Sequence, residues 1–327
     1  MKEQIEKAKG FICFYLSLPL FVLMVLVSGV GVLGKDVQVS ANTQIIKNVF
    51  DKETKNSTTE KIEVEFSENG GFAIVARDLS KDYNILNATN KQIDEKELLS
   101  RPLPYDYKKD VPLVLVFHTH ATECYADVTE SFPTADENGR HGYYDESTET
   151  RSEDKSKNMV AIGEAFCEVL TEEGIGVIQC RTLNDKDDYN NAYSNSREKI
   201  KEYLEKYPSI KYIIDIHRDS LQGANGDKTK TLASKIDGSA QVMLVNGVSF
   251  EGWENNLSLA LKYKKAMDEK YPSLSRPIYL REAKYNLDMT KASLLLEVGT
   301  CANTFLEAEK AARLAAECLA LVIKQES

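Results

Sequence analysis

Histidine is scarce in this chain: 327 residues contain only four, His118, His120, His141 and His217. Positive charge is also in the minority, with 41 Lys and Arg against 51 Asp and Glu and a net charge of −10. That balance excludes a nucleic-acid surface, because phosphate recognition draws its affinity from clustered Lys and Arg. Lysines scattered among a larger number of acids read instead as a solvated face. No CxxC pair occurs, and once Cys13 is set aside within an apolar run, Cys124, Cys167, Cys180, Cys301 and Cys318 remain. An odd number without paired spacing excludes a disulfide framework. Cys167 and Cys318 fall in helical apolar patterns and read as small core residues. No repeat of 20–50 residues is visible, so the chain is no repeat array.

One long segment lacks charge altogether. Residues 10–34, GFICFYLSLPLFVLMVLVSGVGVLG, lie between Lys9 and Lys35. At roughly 1.5 Å per helical residue this run is long enough to cross a ~30 Å hydrocarbon core. Lys2, Lys7 and Lys9 precede it, and the positive-inside rule holds such a flank in the cytoplasm. The run exceeds an ordinary signal-peptide core. Residues 1–35 are therefore expected to be a cytoplasmic N-terminus and a single transmembrane anchor, with the rest of the chain extracytoplasmic.

Residues 36–109 read as a stalk or linker region. Within it, 62–80 alternates and turns like a hairpin, and the proline-bearing RPLPYDYKKDVP leads into the next unit. From 110 to 327 the pattern changes to apolar strands alternating with amphipathic helices. Strands are expected at LVLVF, GIGVIQC, YIIDI, QVMLVNG, RPIYL and SLLLEVG, with helices after the first, second and fourth and from Thr304 to the C-terminus. Such a chain predicts an α/β fold, an open and mostly parallel sheet with helices on both faces. Ligands in such sheets bind beyond the carboxyl ends of the strands.

Three strands finish in chemically capable residues. LVLVF runs into His118, His120 and Glu123; YIIDI runs into His217, Arg218 and Asp219; SLLL runs into Glu297. A single strand-end histidine is ordinarily a polar cap, but three of the four arriving at one predicted edge point to a metal site. Two or three imidazoles with a carboxylate suit zinc, which takes about four ligands and keeps one position open in catalytic sites. His118 and His120 point to the same face of an extended chain, so either or both could bind the ion. An acid at the end of an apolar strand, as Glu297 is, has its pKa raised by desolvation, which fits a general acid or base near neutral pH. Arg218 and Asp219 are available to orient metal-bound histidines from outside the ligand set. The polar segment 126–157, with His141, Tyr143 and Tyr144, is too long for a simple connection and is expected to shape a groove.

The segments VFHTHATECY, KNMVAIGEAFCEVLTEEGIGV, DDYNNAYSNSRE, IIDIHRDS, YNLDMTKASLLLEVG and NTFLEAE, in that order and spacing, resemble the stage II sporulation protein P family. That family consists of membrane-anchored cell-wall hydrolases of endospore-forming bacteria, and the resemblance covers about residues 110–325. It implies a zinc-dependent N-acetylmuramoyl-L-alanine amidase, with endopeptidase activity on stem peptides, acting on peptidoglycan during forespore engulfment. It also implies stage II sporulation proteins D and M as partners and a location at the sporulation septum. By similarity to the wider zinc amidase class, His217 is a ligand, His120 stands at the first ligand position and Glu297 is the catalytic acid and base. That class takes a ligand glutamate two residues ahead of an asparagine before its first helix. Here the position two before Asn158 is Ser156, so Glu123, with Asp154 as an alternative, is expected to supply the carboxylate.

Overall fold

The computed structural model describes residues 62–66, 72–76, 85–128, 150–222 and 228–325. The expected anchor at 10–34 and the loop around His141 lie outside them, and no helix among the described residues is long and apolar enough to cross a membrane. The alternating segment after residue 61 forms an antiparallel hairpin, β1 (Ile62–Phe66) with β2 (Phe72–Ala76), in which Ile62 faces Ala76 and Phe66 faces Phe72.

The main sheet begins earlier than its prolines suggested. Strand β3 (Ile85–Asn87) is its edge, and α1 (Glu95–Ser100) brings Leu98 into the core, with Leu103 just beyond. The boundary drawn at 109/110 therefore falls inside the folded unit, and residues 85–103 belong to the sheet and core instead of to a linker. The remaining elements follow the expected alternation: β4 (Val114–Phe117), α2 (Met159–Glu172), β5 (Val177–Gln179), α3 (Ala192–Lys206), β6 (Tyr212–Asp219) and the short pair β7 (Leu221–Gln222) and β8 (Lys228–Thr229). Then come β9 (Val242–Gly247), α4 (Trp253–Lys270), β10 (Ile278–Arg281), β11 (Ser293–Thr300) and α5 (Phe305–Gln325).

The seven strands lie in the order β3-β10-β9-β11-β6-β4-β5. Every neighbouring pair is parallel except β11 with β9, which is antiparallel. The sheet is thus mostly parallel but consists of two parallel halves running in opposite directions. Strand residues alternate between its faces. Val114 and Val116, Ile214 and Ile216, and Leu294 and Leu296 pack in one core with α2, α4 and α5. On the opposite face Leu115, Phe117 and Ile213 meet Ile200 of α3. Helices cover both faces, unequally.

Local chemistry sets the helix ends. Asn158 caps α2 by accepting from Val160 N at 3.0 Å, supplying one of the partners that the first turn lacks. Gly174, at φ +77°, closes the same helix, with Ile175 N donating to Leu170 O at 2.8 Å as the chain turns into β5. In α5 the buried face carries Ala308, Ala311, Ala312, Ala315 and Ala316, short side chains that let the helix bed against α2 and α4.

Candidate active site

Because β4, β6 and β11 are parallel neighbours, their carboxyl ends share one edge, and the register sets Glu297 directly beside His217. Both residues belong to the face away from α2, α4 and α5, following Leu295 and Ile213 in alternation.

The same alternation separates the two histidines of the first motif. His118 continues the row of Val114 and Val116 and goes to the α2 face, where it is wholly buried. Its Nδ1 lies 3.0 Å from Ile216 O and its Nε2 lies 3.1 Å from Gln179 Nε2. A carbonyl can only accept, so Nδ1 carries the proton and Nε2 accepts from the amide. Burial lowers the pKa to about 4, which keeps the ring neutral. Both nitrogens are engaged, and His118 is removed from the ligand set expected from sequence. Extended geometry would have aligned it with His120, but the strand stops at Phe117 and residues 119–122 turn, with Glu123 N donating to His120 O at 3.1 Å.

His118 instead fills a notch in α2 that only glycine leaves open. A Cβ on Gly163 would stand 2.4 Å from His118 Nε2 and 2.6 Å from Gln179 Nε2. Gly163→Ala is therefore expected to destabilise the protein by about 1–3 kcal/mol despite alanine's better helix propensity, since the buried ring has nowhere to retreat. Urea unfolding checks this; an unchanged or raised midpoint would show that the notch gives way freely.

The turn carries His120 to the other side of the edge, its ring centroid 5.4 Å from that of His217. Two matching clamps support the pair. Thr119 donates from N and Oγ1 to Asp215 at 2.9 and 2.6 Å, and Thr122 donates likewise to Asp185 at 3.0 and 2.7 Å. Asp215 Oδ2 stands 3.0 Å from His217 Nε2, although the ring N–H is not aimed for a hydrogen bond; Asp185 Oδ2 stands 3.9 Å from His120 Nδ1. Tyr189 stacks on His120 at 4.2 Å, and the Arg151 guanidinium lies 4.4 Å from the centre of the Tyr189 ring. Tyr193 stands edge-on to His120 and parallel to His217.

Electrostatics differ between the two rings. Burial holds His120 neutral, with a pKa near 4. Burial also works to lower that of His217, but the adjoining Asp215 and Glu123 carboxylates outweigh it and raise the pKa well above the ordinary value. Glu123 is buried, with Oε2 3.7 Å from His217 Nδ1 and Oε1 3.4 Å from an Arg218 guanidinium nitrogen. Its burial would raise the pKa, yet Arg218 and His217 hold it far below the carboxylate range. Glu297 makes no ion pair with a described residue, and the pull of His217 on it is outweighed by burial. Burial pushes its pKa up to about 8, and its Oε2 is enclosed without a hydrogen bond. Gly299, at φ +64°, sits in a bulge where the β11 to β6 register shifts, and a Cβ there would crowd Ala240 and Asn303 at 3.0 Å.

A match of the stage II sporulation protein P (SpoIIP) pattern spans residues 29–320. The chain belongs to this family. Among curated SpoIIP-family relatives, "Stage II sporulation protein P" of Bacillus subtilis (strain 168) is 31% identical over 238 residues, covering 69% of this chain and 55% of that protein. This SpoIIP chain thus spans about half the length of the relative it matches. Solved structures with some likeness include N-acetylmuramoyl-L-alanine amidase AmiC2 of Nostoc punctiforme, at 13% identity, 65% and 96% coverage and a TM-score of 0.34. Another is the CwlD amidase from Clostridioides difficile in complex with the GerS lipoprotein, at 15% identity, 65% and 98% coverage and a TM-score of 0.38. Likeness at these scores carries no weight for fold or chemistry.

Within this SpoIIP chain, His120, Glu123, His217 and Glu297 come together, and Arg218 lies against Glu123. Asp219 pairs with Arg276 at 2.6 Å and accepts from Ser220 N, and the carboxylate 3.0 Å from the His217 ring is that of Asp215. Asp154 is exposed and caps Ser156, away from the site. Asp215, Asp185, Tyr189, Tyr193 and Arg151 were not singled out from sequence. Asp215 had a visible signal, as the one charged residue inside YIIDI; Asp185 lies 63 residues from Thr122 with nothing local to mark it.

The expected zinc can be tested against these residues. Of the site's buried polar atoms without hydrogen bonds, His120 Nδ1 and His217 Nε2 face the Asp185 and Asp215 carboxylates, which leaves Glu297 Oε2 as the one that calls for a ligand, ion or water. The ring nitrogen nearest Glu123 is His217 Nδ1, at 3.7 Å. Two imidazoles and a carboxylate are the donors zinc prefers. Among the described residues no three His, Cys, Asp or Glu side chains converge closely enough to hold a metal as they stand. The donor chemistry fits; closing the set requires His120 to approach the Glu123 and His217 pair, and His217 to shed its proton.

Proposed function

We propose that this chain is a zinc-dependent N-acetylmuramoyl-L-alanine amidase that cleaves the amide between N-acetylmuramic acid and L-alanine in peptidoglycan. The observation that carries the reading is Glu297, a carboxyl with its pKa raised to about 8 by burial, set beside His217 at the carboxyl edge of the sheet. His120, Glu123 and His217 would hold the ion. Zinc, when bound, supplies Lewis acidity that polarises the scissile carbonyl and acidifies water.

The chain's own groups do the rest. Glu297 takes a proton from the attacking water and returns it to the departing amine of L-alanine, a task suited to a pKa near working pH. Arg218 keeps Glu123 ionised, and Asp215, fixed by Thr119, restrains the His217 ring. Tyr189 and Tyr193 cover the imidazoles and limit water around the reacting amide.

The wider setting is part of the same proposal. Residues 10–34 would anchor the protein in the membrane with the catalytic unit outside. Its role would be forespore engulfment at the sporulation septum, with stage II sporulation proteins D and M as partners and with cross-linked stem peptides as a second substrate. Digestion of purified peptidoglycan followed by mass spectrometry tests the reaction. Amidase action frees the lactyl carboxyl of the sugar from the peptide, and fragments cut only between peptide residues would replace this reading with that of a zinc peptidase.

A further inference from the structure

We propose that the cavity beside His120 is a carboxylate-binding subsite in which Arg151 holds the stem peptide of the substrate. The ligand's identity rests on the amidase reading; the subsite itself rests on geometry. The cavity, about 450 Å³, is lined by Thr122, Arg151, Ser152, Glu153, Asp185, Lys186 and Tyr189. Its inner wall is the support of the candidate centre, since Tyr189 stacks on His120 and Asp185 faces the same ring.

Arg151 is held along one edge. Its Nη1 donates to Asp185 Oδ2 at 3.0 Å and Thr122 Oγ1 at 3.1 Å, and its guanidinium lies over the Tyr189 ring. Its Nε and Nη2 make no hydrogen bond with any described residue, and the side chain is 36% exposed. The backbone is fixed as well, because Arg151 pairs with Glu123 in an isolated β-bridge. A guanidinium whose stack and Nη1 bonds are already made loses little freedom on gaining a ligand. The two remaining donors match the fork of a carboxylate.

The other charges at the cavity are occupied. Asp185 is fully buried, its oxygens taken by Thr122 and Arg151, and Lys186 pairs with Glu153 at 2.7 Å. Muramic acid's own carboxyl is tied up in the scissile amide, so free carboxylates lie on the peptide half, the half that departs as the amine. The first of them belongs to the residue after L-alanine. Arg151 and His120 both lie against the Tyr189 ring, 4.4 and 4.2 Å from its centroid. Two extended residues span roughly 7 Å, a reach that puts the second residue of the peptide within the range of a group so close to His120.

Calorimetric titration of the full chain tests this, using Glu297→Gln to prevent turnover and two probes. One is N-acetylmuramoyl-L-alanyl-D-glutamate; the other has the α-carboxylate of its glutamate as an amide. The carboxylate probe is expected to bind roughly 10- to 100-fold more tightly, the loss associated with one charge-assisted pair. That preference should vanish in Arg151→Gln and in Arg151→Met, the second of which keeps apolar cover over Tyr189. Equal affinity for the two probes, absence of binding to both, or an equal loss for both in the variants would overturn the proposal, the last marking Arg151 as a prop for Tyr189. Peptidoglycan digestion by the wild-type protein is scored apart. Discrimination without amide cleavage leaves the subsite and removes the amidase; cleavage without discrimination removes the subsite alone.

Discussion

Glu297→Gln is expected to lower amide cleavage by about 10²–10⁴-fold while leaving zinc in place, because the substitution keeps the shape of the side chain and deletes its proton transfer. In chelated protein the same change should stabilise the fold at pH 8 relative to pH 5. The sign follows from protons bound. With a folded-state pKa near 8 against an ordinary 4.5, the folded chain holds a proton at Glu297 that the unfolded chain has released. Stability from this group is full below pH 4.5 and is lost as pH rises to 8, at roughly 1.4 kcal/mol per pH unit while the difference lasts. Glutamine does not titrate, so the gap between variant and wild type should widen across that window. Urea unfolding at several pH values reads the gap, and cleavage assays read the activity. A variant that turns over normally, or a gap independent of pH, would remove Glu297 from its role.

The second large effect divides the histidines. His120→Ala and His217→Ala should each abolish zinc retention, falling beyond the 10–100-fold loss of affinity that outer partners such as Asp215 carry. His118→Ala should keep the metal and instead cost about 2–4 kcal/mol, since it removes the ring that donates to Ile216 O and accepts from Gln179 and opens a cavity against Gly163. Metal analysis after dialysis, paired with urea unfolding, separates the two behaviours. Zinc loss in His118→Ala at unchanged stability would contradict the placement of that ring.

Much of this was legible in sequence because the chain obeys its periods. Buried parallel strands appear as unbroken apolar runs and surface helices as amphipathic ones, so the strands from LVLVF to SLLLEVG and the helices between them could be placed from residues alone. Parallel order then implied that His120, His217 and Glu297 would share an edge. What was hidden depends on where a period stops. A regular strand continued past Phe117 through His120 would have put both histidines on the α2 face, and no composition rule fixes where that strand stops. The edge strand β3 was hidden because it is only three residues long and precedes three prolines. The antiparallel step between β9 and β11 was hidden because strand direction leaves no mark on an apolar run. Asp185 and Arg151 reach the site from distant loops, through side-chain bonds with no sequence period.

The position of β11 has a consequence for how the protein comes into being. This strand, the last in sequence among the described residues, is inserted at the middle of the sheet between β6 and β9, and it carries Glu297. Its partners are made long before it, so a growing chain presents two half-sheets without the strand that joins them. Contacts between residues so far apart in sequence form late, since the loop entropy is lost before they form. The histidines and Glu123 are thus synthesised well ahead of Glu297. An incomplete chain lacks the group on which cleavage is proposed to depend, and chemical competence arrives together with closure of the sheet.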